Sequence, residues 1–249
     1  MTDQKASKAA ARVPLFHPLA KGAIAFRPEF IDFKRGIRVG HLEDNERITR
    51  LLKIALEYKH QQSFVTERYG RGMYWQWIGF LSRANRAAKP ISSHVSFGCS
   101  KYFLAVDTSE NIFKCGLQIE RGYVKTPADN RHFELAPDWD WHRLVKSLKQ
   151  DGPLATELDR LILDDRFAIF AGSWESEGIS FSRKNPLNLA KLKKALKSAP
   201  AHQWAGFQLY YPMPKREVQK STGVDFVESI LAIFDEVTPA MNLSMQVPL

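Results

Sequence analysis

The sequence predicts an α+β fold, a mainly antiparallel sheet with packed helices, on three observations. Of its 249 residues, 44% are apolar and 25% charged, the balance of a chain that buries a substantial core. Residues 101–124 read as two strand patterns joined by the polar turn Thr108-Ser109-Glu110-Asn111, the clearest hairpin in the chain. The other strand patterns fall in groups and do not alternate one-for-one with helices, which argues against a regular βαβ array.

The elements follow in order. Residues 1–12 are polar and basic with no apolar stretch, so they read as a disordered tail and not as a secretory signal. The remainder, 13–249, reads as a single globular domain. Pro14, Pro18, Gly22, Pro28, Gly36 and Gly40 punctuate loops and short extended pieces. A helix is expected over 44–60, capped by Asp44, with Ile48, Leu51, Leu52 and Ala55 as its apolar stripe. Arg47, Arg50 and Lys53 lie off that stripe, and Glu43 and Glu46 stand four residues before Arg47 and Arg50.

Residues 72–82 are aromatic, and their periodicity fits a strand or a buried helix. Arg83 to Lys89 is a basic link ending at Pro90. In the hairpin, Leu117 and Ile119 alternate with Gln118 and Glu120, as in a half-buried strand. Segment 125–137 contains Pro127 and Pro137 and reads as a loop and possible sub-boundary. Helices are expected at 138–150 (capped by Asp138) and 154–163, and strands at 166–171 and 178–183. A further helix starts at Asn185-Pro186 with the stripe Leu189, Leu192 and Leu196, its lysines forming a solvated face. Strand 204–211 follows, and a last apolar helix, 224–237, is expected to stop before Pro239.

The charge is lopsided. Residues 1–125 carry 21 Lys+Arg against 11 Asp+Glu, and residues 126–249 carry 15 against 16, so the whole net charge of +9 lies in the first half. A basic half favours a polyanionic partner. Cys99 and Cys115 are the two cysteines. They form no CxxC and no disulfide framework, which points to packing roles and to a reducing, cytoplasmic compartment. No apolar run is long enough to span a bilayer.

Several chemistries lack their motifs. The seven histidines are scattered, with no HExxH. There is no GxxxxGK[ST] and no GxGxxG, and Tyr69-Gly70-Arg71-Gly72 reads as a turn. There is no G-x-S-x-G elbow. A metal-dependent nuclease needs clustered acids to hold Mg²⁺ and a lysine to orient water. Asp32-Phe33-Lys34 on a plausible strand is the best triplet for that alternative, and only there would Mg²⁺ be expected as a cofactor. Glu57-Tyr58-Lys59 falls on a helix, the wrong scaffold.

The strongest functional lead is a run of basic and aromatic residues: Arg68, Arg71, Trp75, Trp77, Arg83, Arg86 and Lys89. If 73–81 is a strand, Trp75 and Trp77 project from one face. Indoles there could stack exposed bases while the cations hold phosphates; core packing of both rings is the competing reading. The second Trp-x-Trp, Trp139-Asp140-Trp141, is expected to anchor a helix on the sheet.

Tyr74-Trp75-Gln76-Trp77, Phe80-Leu81, Gly98, the 101–120 hairpin, Trp204 and the final apolar helix together resemble, in layout, an uncharacterised bacterial domain-of-unknown-function family numbered 4268, over roughly residues 60–245. Members are often joined to nuclease-like regions, so the resemblance implies a DNA-linked role by association. Gly70-Arg71-Gly72 through Trp77-Ile78 with the hairpin is also similar to the modified-base-reading domain of bacterial restriction systems. The leading expectation is a nucleic-acid-associated binding protein, in a bacterial defence or restriction setting. The alternatives are a metal-dependent nuclease or other hydrolase, and a non-catalytic protein-interaction module marked by a contiguous exposed apolar patch.

Overall fold

In the computed structural model, which describes residues 21–89, 97–124, 135–176 and 178–249, the chain forms a nine-stranded, wholly antiparallel sheet and seven α-helices. The strands are β1 (Ile31–Asp32), β2 (Gly36–Arg38), β3 (Phe64–Arg71), β4 (Tyr74–Ser82), β5 (Ser100–Asp107), β6 (Ile112–Gly122), β7 (Ala168–Ser173), β8 (Gly178–Phe181) and β9 (Ala205–Pro214). Their order is β1-β2-β4-β5-β6-β9-β7-β8, with β3 on the other side of β4. The sheet thus joins residues from both halves of the chain, and among the described residues one core cluster draws on both. The tail 1–12 and most of the 125–137 loop lie outside the described residues.

The aromatic segment whose periodicity left strand and helix open is strand β4. It pairs with β3 along its length and with β2 and then β5 on its other edge. The hairpin β5–β6 forms as expected, closed by Asp107, whose Oδ1 accepts hydrogen bonds from the backbone N–H groups of Ser109 and Glu110. Burial opposes the ionised form of Asp107. The Lys114 ammonium and the turn's donors outweigh it and bring its pKa down to about 2.

The helices are α1 (Ile48–His60), α2 (Arg83–Ala87), α3 (Asp140–Ser147), α4 (Pro153–Leu163), α5 (Leu189–Ser198), α6 (Lys215–Lys220) and α7 (Gly223–Ser244). Ile78, Tyr102, Leu104, Phe113, Cys115, Leu117, Ile119, Phe207, Leu209 and Ile169 form one helix-side layer of the sheet. They share a single core cluster with residues of every helix except α2. Alternate strand residues face the other way. On that second face stand Glu67, Trp77, Lys101, Phe103, Gln118, Glu120 and Gln208, aligned by the ladder registers.

Several helix ends differ from the sequence expectation. Asp44 does not cap α1; it sits in the preceding turn and binds Arg47 and Arg50. Asp138 does not cap α3, because its carboxylate accepts from the Gln246 side chain. α5 begins after Asn188, whose side chain accepts from Lys191 N–H, a true N-cap. The largest difference is α7, which runs through Pro239. Proline removes one helical N–H, yet Val237, Ala240 and Met241 are buried in the core, and that packing carries the helix across the break. Trp139 and Trp141 are buried and do anchor α3.

Candidate nucleic-acid interface

Trp75 and Trp77 do not share a face. Tyr69 pairs with Trp77 and Gly70 with Trp75, so Gln76 is an extra residue in β4 and makes a β-bulge. The bulge flips the alternation. Trp75 pairs with the buried Ile37 of β2 and packs on the helix-side core. Trp77 lies on the second face.

Two glycines allow this. A Cβ at Gly70 would stand 2.5 Å from the Trp75 Cα, and one at Gly36 would stand 2.6 Å from the Trp75 carbonyl oxygen. Both have φ values, +151° and +110°, that L-residues rarely adopt. Gly70 inside a strand pattern is the sequence signal that marks such a bulge.

Trp77 is half-buried and is engaged by the sheet itself. Its ring folds over Gly79, and its indole N–H donates to Gln118 Oε1 at 3.0 Å. The Lys101 ammonium lies 5.4 Å from the ring centroid. Lys101 is fully buried between Glu120 (2.7 Å) and Glu67 (3.2 Å). Burial alone would lower its pKa, but the two carboxylates outweigh that and raise it. Gln118 in turn donates to Glu120 and accepts from Gln208. Trp77 is thus one wall of a structural polar network.

Lys89 also lies away from any nucleic-acid surface. Its ammonium is buried, 2.9 Å from Asp140 Oδ1, and it donates to both oxygens of Asn85. Asp140 also accepts from Asn85 Nδ2 and from the N–H groups of Ser100 and Gln246. This network ties α2, β5, α3 and the chain after α7 together, and it leaves Lys89 no access to a phosphate. Arg83 and Arg86 are exposed on α2, but they follow the far end of β4. The nine-residue strand separates them from Arg71 by roughly 30 Å.

Arg68 and Trp75 do come together near the tip of the β3–β4 hairpin, and Arg71 stands at the same tip on the opposite face. The Arg68 guanidinium lies 4.3 Å from the Trp75 ring centroid. Arg71 is directly paired with Tyr74, which on its other side is paired with Arg38 of β2. Arg38, Tyr74 and Arg71 therefore form one row across three strands, with the two cationic residues about 10 Å apart at the backbone. Arg35 stacks on Tyr74 at 4.2 Å, and Arg27 and Arg38 lie 4.6 and 5.5 Å from the Phe30 ring.

The sequence reading missed Arg27, Lys34, Arg35 and Arg38. Their signal was the turn Asp32-Phe33-Lys34-Arg35-Gly36, which closes a β1–β2 hairpin and carries cations to the same edge. Among the described residues, Arg27, Lys34, Arg38, Arg68 and Arg71 have no carboxylate within ion-pair distance, while Arg35 is held by Asp32 at 2.6 Å. Planar guanidinium groups stacked on rings are partly ordered before any anion arrives, and the four stacked ones at this sheet end can bridge phosphate oxygens.

The Asp32 carboxylate is engaged within its own turn. Its carboxylate accepts from the N–H groups of Lys34 and Arg35 and from Arg35 Nε. Burial would raise its pKa, but these bonds and the Arg35 charge outweigh it and lower it. Among the described residues no group of three or more His, Cys, Asp or Glu side chains could hold a metal ion. Nor do the exposed large apolar side chains form one patch. Tyr58, Leu163 and Leu243 sit on three separate helices, and Tyr69 and Met73 at the hairpin. No described helix is long and apolar enough to cross a membrane. No protein-family model matches this chain, and no curated protein and no solved structure matches it either.

Proposed function

We propose that this protein binds nucleic acid through the basic end of its sheet, where Arg27, Lys34, Arg35, Arg38, Arg68 and Arg71 meet. The observation that carries the reading is the stacking of four guanidinium groups on Phe30, Tyr74 and Trp75, with Asp32 as the only carboxylate among the described residues that is ion-paired with them. Concentrated, weakly neutralised arginines attract a phosphate backbone, and the rings order their guanidinium planes. The role is binding, with the phosphates as the recognised group.

Two buried thiols, Cys99 and Cys115, support a reducing compartment such as the cytoplasm. The layout resemblance to a family joined to nuclease-like regions supports a DNA-linked setting, and bacterial defence or restriction is part of the same proposal.

The test is affinity for single- and double-stranded oligonucleotides across a salt series. Binding that weakens steeply as salt rises, and that Arg71→Glu weakens further, supports the reading. Absence of binding at low salt, or an Arg71→Glu variant with unchanged affinity, removes it.

A further inference from the structure

We propose that the basic end of the sheet is selective for unpaired nucleic-acid strands, and that Tyr69 is the platform on which one base stacks. The proposal rests on the nucleic-acid reading above and deepens it.

Tyr69 is the most exposed large apolar side chain in the described structure, at 73%. It stands on β3, an edge strand whose ladder is with β4. It is paired with Trp77 and shares the second face of the sheet with Arg71, two residues on, whereas Arg68 stacks on Trp75 on the helix side. Its ring has no stacking, cation or hydrogen-bond partner among the described residues. The neighbouring rings are already engaged: Tyr74 by Arg35, Trp75 by Arg68, and Trp77 by Gly79 and Lys101. One aromatic ring is therefore left bare beside the row of Arg71, Tyr74 and Arg38. Met73, also exposed, lies in the hairpin turn against Gly40.

The choice of an unpaired strand follows from what each form of nucleic acid offers. In a duplex both faces of every base are covered by stacked neighbours, so a surface of arginines meets the backbone and a free ring there gains nothing. An unpaired strand offers base faces together with phosphates. A flat ring with arginines beside it on the same face fits that combination, with the base on the ring and the adjoining phosphates on Arg71 and Arg38. Stacking on a lone ring tolerates any base, so the preference is for strandedness and not for sequence.

The experiment uses the full chain and labelled oligonucleotides of one sequence as single-stranded DNA, single-stranded RNA, blunt DNA duplex and single-stranded DNA with abasic sites replacing the central bases. Binding is measured at fixed salt for the natural protein, Tyr69→Phe and Tyr69→Ala, with thermal melts to check that each folds. The expected result is tighter binding of the single strands than of the duplex. Tyr69→Ala should lose about tenfold or more on single strands, as expected for one stacked base, while its salt dependence and its duplex affinity stay unchanged. Tyr69→Phe should bind as the natural protein does. The abasic strand should bind the natural protein as weakly as the intact strand binds Tyr69→Ala. Comparison of the DNA and RNA arms tells which sugar the site accepts.

Equal affinity for duplex and single strand, or a Tyr69→Ala variant with full single-strand affinity, overturns this inference and leaves the phosphate-binding reading standing. Failure to bind any strand at low salt overturns both. A Tyr69→Ala variant that alters self-association by sedimentation and not oligonucleotide affinity would assign the ring to a second copy of the chain and overturn the proposal.

Discussion

The Arg68 guanidinium stacks on the Trp75 ring at 4.3 Å, and this pair joins edge strand β3 to the rim of the core. The ring fixes the plane of the guanidinium while its charge stays exposed. Arg68→Ala and Arg71→Ala should each weaken oligonucleotide binding and reduce the slope of log affinity against log salt by about one, as expected for loss of one phosphate contact. Arg83→Ala with Arg86→Ala should leave both unchanged, because α2 lies at the opposite end of β4. Affinity measured across a salt series checks both outcomes.

Lys89 and Asp140 form a buried ion pair in which each charge also meets hydrogen-bonding partners. Removing one partner leaves the other charge buried and uncompensated. Lys89→Met should therefore cost about 3–5 kcal/mol of stability. Oligonucleotide affinity of the fraction that remains folded should not change. Urea unfolding, followed by binding at low temperature, measures the two effects separately.

The β4 bulge depends on Gly70. Gly70→Val would bring a branched Cβ against the Trp75 backbone, in a backbone conformation unfavourable to L-residues. A loss of about 1–3 kcal/mol is expected from backbone strain alone, and the steric overlap adds to it. The displaced Trp75 should also lose its Arg68 partner. Near-ultraviolet circular dichroism and thermal melting report on the two changes.

His60 links α1 to the sheet through a chain of hydrogen bonds. Thr238 Oγ1 donates to the Phe234 carbonyl, and Tyr102 donates to Thr238. With its one hydrogen used, the Tyr102 hydroxyl accepts from His60 Nε2. Burial, aided by the Lys59 charge, brings the His60 pKa from 6.5 down to about 4. A depressed folded-state value means that the neutral ring is favoured by folding. Its contribution is present above pH 6.5 and is lost as pH falls from about 6.5 to 4. Denaturant midpoints should fall over that interval, and the fall should be smaller in His60→Gln, whose amide keeps a donor but does not titrate.

Much of this protein was legible in its residues. Alternation at Leu117–Glu120 identified β6, the Leu189, Leu192 and Leu196 stripe identified α5, and the two Trp of the 139–141 pair were placed as anchors. These signals are local, because the period of burial is written directly into neighbouring residues. Helix ends were less legible: Asp44 and Asp138 carry cap chemistry, yet each found a different partner, and Pro239 was overruled by the packing of α7.

What the sequence determined by itself was the α+β class, the antiparallel hairpins and the concentration of positive charge in the first half. Tertiary structure alone decided which cations meet. Lys89 and Lys101 are cations like Arg68 and Arg71 in sequence, but carboxylates distant along the chain hold the first two inside while the others stay in water. The bulge at Gln76 placed two nearly adjacent tryptophans on opposite faces, because one extra residue reverses every later side chain in a strand.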